Sequence, residues 1–356
     1  MSSAKVQEIS ADVAAQRKMR RERFLHSLDL PPGVEMEALP ADASFRCYYR
    51  LHGTARPMLM MEDPPDRPDV AGPVMVEPFT KIARHLLELG LRAPEIYFRA
   101  FEDGLLILED FGGNTFTRLF DKGTDPRPLY EQAVDVLVHL HRHPKCNDID
   151  LPPYDTEALL KEAALMVDWY LPMLAKQDVP DDVKQSFMDV WRGILDGIPQ
   201  EQKVVVLLDY HVDNLMRAPG GTGIKECGLL DFQNAAIGHP AYDLMSLLED
   251  ARRDMPDDLR KHLFDRYVAQ AGSGFDKDSF ERGYRILAAQ RHAKVLGIFV
   301  RLHQRDNKSR YLQFLPHVHK LFTNALAAPE MEPLRTWFGA HKELWTDDNS
   351  SVKGLG

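Results

Sequence analysis

The chain has 356 residues, 44% of them hydrophobic and 28% charged, with a formal net charge of -10. That is enough apolar material for a large core and enough length for two domains or lobes. The negative balance argues against a protein that holds nucleic acid by neutralising its phosphates.

Residues 3–27 read as a helix whose basic run, Arg17 to Arg23, is a solvated face. Residues 45–51 alternate, 52–57 turn and 58–61 return, which makes a hairpin. A helix follows over 74–89, ended by Gly90, and strands fit 95–101 and 105–108 around the turn 102–104. Residues 116–198 are mostly helical by apolar spacing. The run Val204-Val-Val-Leu-Leu208 reads as a buried strand. Leu215-Met216 and Gly228-Leu-Leu230 read as hairpin arms turning at 219–223. Helices return at 242–251, 258–271, 277–304 and 310–327. Beyond Pro329 the pattern weakens, and the end from Asp347 reads as disordered. Cys47, Cys146 and Cys227 form neither a zinc spacing nor a disulfide framework. Residues 1–23 lack the apolar core of a secretory signal, and no apolar run approaches the roughly 20 residues that span a bilayer. The expectation is a cytoplasmic protein without membrane association, and no obligate protein partner is evident.

The chemistry concentrates in Asp209-Tyr-His-Val-Asp-Asn214 and, a strand later, Leu230-Asp231-Phe-Gln233. Strand ends would bring these polar residues to one end of a small sheet. Asp209 can orient or deprotonate an acceptor hydroxyl, and Asn214 and Asp231 are hard oxygen donors suited to Mg²⁺ on a nucleotide triphosphate. The alternative is two solvated turns, since Asp and Asn are ordinary turn residues.

The order of these pieces resembles the aminoglycoside phosphotransferase and choline kinase branch of the kinase-like fold, over roughly residues 30–325. Asp42-Ala-Ser-Phe-Arg46, Asp168-Trp-Tyr170, Asp231-Phe-Gln233, Ala236-Ile-Gly-His-Pro240, Tyr242-Asp-Leu244, Gln290-Arg-His292 and Leu296-Gly-Ile-Phe299 carry a narrower resemblance. It is to bacterial anomeric kinases of N-acetylmuramate and N-acetylglucosamine. The resemblance implies an α+β, bilobal protein-kinase-like fold with a β-rich N-lobe and a mainly helical C-lobe. Its implied parts are an N-terminal helix at 1–29, a nucleotide-binding N-lobe at 30–109, a hinge at 110–113, a catalytic and substrate-binding C-lobe at 114–340 and a flexible tail at 341–356.

By that resemblance Asp209 is catalytic, Asn214 and Asp231 bind metal, and Asp243 caps a helix or braces the catalytic loop. Leu207 stands where the family usually has a histidine, and Met60 or Met61 where it has a phosphate-binding lysine. Arg46 is the candidate substitute for that lysine, against the alternative of a solvated strand arginine. Ser44 offers a hydroxyl and an N–H to a phosphate, though a turn is the commoner meaning of a serine there. Backbone groups of Glu109, Asp110 and Phe111 would contact adenine. Acceptor contacts are expected from Glu162, Asp168, Trp169, Gln233 and Arg291, with Glu162 and Trp169 on one helix face. Arg291 and Lys294 are the cations placed nearest an acidic sugar. The implied cofactors are ATP and Mg²⁺, and the implied partner is a small amino sugar phosphorylated at C1 during cell-wall recycling. The alternatives are a kinase of another hydroxylated acceptor, such as an aminoglycoside or a choline-like amine, and a non-catalytic pseudokinase. His139, His141 and His143 lack a third-ligand motif, and Gly220-Gly-Thr-Gly223 lacks the Gly-Lys-Ser/Thr of a P-loop.

Overall fold

The structure, a computed structural model, describes residues 11–40, 46–65, 76–200, 203–346 and 352. Ser44, the expected helix start at 74 and the tail from 347, Val352 apart, lie outside the described residues. The chain forms two compact units, Met1–Val136 with Val212–Asn234 and Leu137–His211 with Ala235–Gly356.

The first unit opens with α1 (Ala11–His26), then β1 (Glu35–Ala38), β2 (Cys47–His52) and β3 (Met58–Glu62). Next come α2 (Val76–Glu88), β4 (Ile96–Ala100), β5 (Leu105–Glu109), α3 (Phe116–Asp121) and α4 (Pro126–Arg142), whose turns from Leu137 onward belong to the second unit. The strands make one antiparallel sheet in the order β1-β2-β3-β5-β4. β1 was not expected, because Glu-Met-Glu-Ala carries no apolar alternation and its residues are mostly exposed. The sheet buries Leu51, Met58, Met60, Leu105 and Ile107 against Phe24 of α1, and Arg21 of α1 pairs with Glu62 of β3 at 2.6 Å.

α2 forms because Val76, Phe79, Ile82, Ala83 and Leu86 fall on one helical face, all buried. It ends in a Schellman turn. Gly90, at φ 81, donates to the Leu87 carbonyl, and Leu91 donates back to Leu86 at 3.0 Å. A side chain at residue 90 would be strained in that left-handed conformation. The unit closes with the hairpin of β7 (Leu215–Arg217) and β8 (Cys227–Leu229), in which Leu215 pairs with Leu229.

The second unit is mainly helical. α5 (Thr156–Leu165) is capped by Asp155, whose carboxylate accepts from the Ala158 N–H at 3.1 Å. It runs into a π-helical turn, Met166–Tyr170, and then α6 (Leu171–Ala175) and α7 (Asp181–Leu195). β6 (Val204–Val206) pairs antiparallel with β9 (Ala236–Gly238). α8 (Ala241–Leu248), α9 (Asp257–Gln270), α10 (Lys277–Gln304), α11 (Leu315–Ala325) and α12 (Glu332–Ala340) complete it. α10 is 28 residues long and crosses the π turn so closely that a Cβ on Gly297 would lie 2.2 Å from the Leu165 carbonyl oxygen.

The weak pattern beyond Pro329 hides a docked helix. In α12, Trp337 packs edge-on against Phe187 at 4.9 Å and donates its indole N–H to the Ser186 hydroxyl at 2.9 Å. Among the described residues no helix is long and apolar enough to cross a membrane.

Candidate active site

Asp209 follows β6 in the second unit, and the turn that delivers it is strained. Leu208 sits at φ 68, a left-handed value that costs a non-glycine residue about 1–3 kcal/mol. The Asp209 N–H closes back on the Leu207 carbonyl at 2.9 Å, which makes a γ-turn of the positive-φ kind. One buried carboxylate stabilises this backbone. Asp243, on the first turn of α8, accepts from the Leu207 N–H at 2.6 Å and from the Leu208 N–H at 2.9 Å. The α8 N-terminus has Pro240 as its cap, with no side-chain cap bond, so Asp243 serves the loop and not the helix end. Burial, with Asp209 close by, pushes the Asp243 carboxyl up to about 7, although the two N–H donors and Arg291 favour its ionised form. Leu207, the residue in the usual histidine position, is itself buried.

Asn214 and Asp231 belong to the first unit, and the β7–β8 hairpin brings them together. Leu230 donates its N–H to the Asn214 carbonyl at 3.0 Å, one step beyond the last strand pair. Asp231 adopts φ 58, a conformation that aspartate tolerates better than most residues. Phe232 stacks on Phe79 of α2 at 4.8 Å between ring centroids, which anchors the segment. Arg46 pairs with Asp231 Oδ1, donates to Gln233 at 2.8 Å, and keeps a side chain only 10% exposed. Gln233 in turn donates to Asp231 Oδ1 at 3.0 Å. This arginine is a packed partner of the carboxylate and not a solvated strand residue. Gln233, expected at the acceptor, is committed here.

The donor set fits a magnesium ion. Asp231 and Asn214 are one carboxylate and one amide, and Mg²⁺ is commonly held by one or two protein oxygens plus phosphates and waters. Among the described residues no group of three or more His, Cys, Asp and Glu is placed to hold a metal alone. Met60 and Met61 are 0% exposed in β3, so neither side chain could meet a phosphate.

The segment expected at adenine has its side chains tied down. Glu109 pairs with Arg92, and Asp110 makes a two-point pair with Arg50. Phe111 packs with Met216 and Ala218 beneath the Arg92 guanidinium. The N–H groups of Glu109 and Asp110 are also used, by the carbonyls of Glu95 at 2.8 Å and Pro57 at 3.2 Å.

Of the expected acceptor residues, the second unit gathers Glu162 with Tyr154, Gln290 and Lys294. Lys294 meets Glu162 at 2.7 Å, Tyr154 donates its hydroxyl to the same carboxylate, and Gln290 approaches it at 3.4 Å. Asp168 and Trp169 lie elsewhere, lining a separate cleft with Pro172, Met173 and Lys184, where Asp168 pairs with Lys184 at 2.8 Å. The shared face of Glu162 and Trp169 required an unbroken α-helix, and the π turn at Met166–Tyr170 adds a residue and rotates the register. Arg291 is 5% exposed. It lies among His211, His292, Tyr242 and Asp243, where its charge lowers the pKa of both already buried histidines. Arg50, Arg92, Tyr154 and Lys184 were not singled out in the sequence, because each meets its partner on a neighbouring element and no local motif marks the pairing.

A profile of the Phosphotransferase enzyme family matches residues 35–283. An N-acetylmuramate/N-acetylglucosamine kinase of Caulobacter vibrioides is 32% identical, over 88% of this chain and 93% of that one. A protein of the same name from Pseudomonas aeruginosa is 31% identical, over 86% and 88%. Among solved structures, an ADP-bound aminoglycoside phosphotransferase aligns with a TM-score of 0.58 at 14% identity, covering 86% of this chain and 98% of its own. That likeness shows the fold, α+β and kinase-like, as the sequence led one to expect.

Proposed function

The chain belongs to the Phosphotransferase enzyme family, and from that membership we propose that it is an ATP- and Mg²⁺-dependent kinase of the anomeric C1 hydroxyl of N-acetylmuramate and N-acetylglucosamine. The relatives just described supply the two sugars. The observation that carries the choice over an amine acceptor is the pairing of Glu162, the candidate acid gathered with Tyr154 and Gln290. An amine pocket needs an uncompensated carboxylate, yet Glu162 is neutralised by Lys294. A hydroxylated, uncharged or acidic acceptor suits that balance better.

In this reading Asp209 accepts the C1 proton as the sugar oxygen attacks the γ-phosphorus, the bond from that phosphorus to the bridging oxygen breaks, and ADP leaves. An anomeric hydroxyl is more acidic than an ordinary alcohol, so a carboxylate base is adequate. A general base of this type contributes on the order of 10²–10⁴ in rate, and alignment supplies much of the remainder. Asp231 and Asn214 would hold the metal, which when bound offsets charge on the phosphates. Arg46 would turn part of its charge to the phosphates in place of the missing lysine. With the N–H groups of Glu109 and Asp110 engaged, adenine recognition would draw on the carbonyls of that stretch and on the Phe111 backbone. By role, residues 30–109 form the nucleotide lobe, 110–113 the hinge and 114–340 the catalytic lobe. The place of work is the cytoplasm, in recycling of cell-wall sugars, with the small sugar as partner and no nucleic acid or membrane.

The test is ADP release with each sugar, with an aminoglycoside and choline as counter-substrates. Turnover of both sugars and of neither amine supports the reading. Turnover of an amine alone contradicts it.

A further inference from the structure

One half-buried cation whose charge acts on Asp209 has no part in the chemistry above. Lys294 projects from the middle of α10 and pairs with Glu162 of α5, Nζ to Oε1 at 2.7 Å. The side chains are 15% and 25% exposed, so the pair is packed yet within reach of a solute. Glu162 is fixed in orientation, because it also accepts from the Tyr154 hydroxyl and from Gln290. Gln290 is itself anchored on the Leu159 carbonyl at 3.0 Å. An ammonium has three N–H donors. One serves Glu162, and another reaches the Tyr242 hydroxyl at 3.5 Å. Burial lowers the pKa of this ammonium, but Tyr242, Glu162 and Asp209 together raise it above its ordinary value, so it stays charged.

A buried ion pair is a poor device for stability, since desolvating two charges often costs more than a hydrophobic replacement would. Glu162 and Asp209 both act on this ammonium, and Glu162 is the one paired with it. An acidic sugar brought here needs a cation to meet its carboxylate, whereas a neutral sugar does not. Arg291 is 5% exposed and the Lys294 side chain 15%, so Lys294 is the more accessible cation of this cluster.

We propose that Lys294, oriented by Glu162, is the residue that sets specificity for acidic acceptors, donating to the carboxylate of the lactyl ether on O3 of N-acetylmuramate. N-acetylglucosamine lacks that ether and makes no such contact. The inference rests on the proposed function above and goes beyond it in assigning acceptor choice to one side chain.

The experiment compares kcat/KM for the two sugars in the wild type, in Glu162→Gln, and in the paired variant Glu162→Gln/Lys294→Met. The paired variant exchanges two charges for neutral groups of similar shape, so neither charge is left stranded. Its ratio of kcat/KM for N-acetylmuramate to that for N-acetylglucosamine should fall by about tenfold to a hundredfold, the scale of a hydrogen bond to a charged group, chiefly through KM. Glu162→Gln alone removes a competing anion from Lys294 and should raise that ratio a few-fold. An unchanged ratio in the paired variant, whatever the absolute rates, overturns the inference while leaving the two-sugar reading intact. A wild type that phosphorylates neither sugar overturns the reading and this inference together.

Discussion

Replacing Asp243 with alanine removes the one carboxylate that holds both N–H groups of Leu207 and Leu208. Each donor, left buried without a partner, costs about 1–3 kcal/mol, and the left-handed turn at Leu208 loses the contacts that offset its strain. A total of about 3–4 kcal/mol corresponds to a fall in Tm of roughly 6–15 °C for a unit of this size. The same loss frees the backbone that positions Asp209, so kcat should drop by about a hundredfold or more while nucleotide affinity stays within a few-fold. pH dependence separates this account from a generic core defect. The folded-state pKa of Asp243 is raised, to about 7. Its stabilising contribution is therefore fully present below the unfolded value of about 3.9 and is lost as pH rises through about 7. Asp243→Asn cannot titrate, so the Tm of the wild type minus that of Asp243→Asn should grow as pH falls from 8 to 4. The facing groups are the Leu207 and Leu208 N–H, Asp209, Arg291, Cys146 and Tyr267, and all of them are retained in the variant. Differential scanning calorimetry across that range, with nucleotide titrations, is the assay. A Tm difference that is flat with pH, together with near wild-type kcat in Asp243→Ala, would refute the bracing role.

Asp209→Asn should reduce turnover by at least about a hundredfold and leave nucleotide binding nearly unchanged; a variant keeping a tenth of the wild-type rate would remove Asp209 from the catalytic role. Arg46→Met deletes the cation bonded to Asp231. Metal alone should then bind about tenfold more tightly, because a positive charge no longer competes at that carboxylate, while ATP should bind several-fold more weakly. Mn²⁺ titration by electron paramagnetic resonance reads the first effect and calorimetry the second; unchanged or weaker Mn²⁺ binding would count against Arg46 as that competing cation.

The strand and hairpin that carry Asp209, Asn214 and Asp231 were legible in the sequence because each depends on local apolar runs bounded by turn residues. The brace on Asp209 was only half legible. Asp243 could be read as capping a helix or bracing a loop, and only the fold brings it to Leu207 across 36 positions. The fate of Glu162 and Trp169 was not legible, because the π turn that holds Trp169 has no composition signal and sits beside the close approach of Gly297 in α10 to Leu165. Arg291 and Lys294 are three residues apart in one helix, and no sequence pattern separates them. Burial does, enclosing the first and leaving the second beside Glu162. α12 escaped notice because its docking depends on Trp337 meeting Phe187 and Ser186, about 150 residues earlier.

Phosphorus and proton NMR of the product formed from ATP, Mg²⁺ and N-acetylglucosamine tests the central claim most directly. The account predicts a sugar 1-phosphate, with the phosphorus coupled to the anomeric proton and one ADP formed per phosphate transferred. Phosphate found on O6, or ADP released with no phosphorus on the sugar, would contradict it.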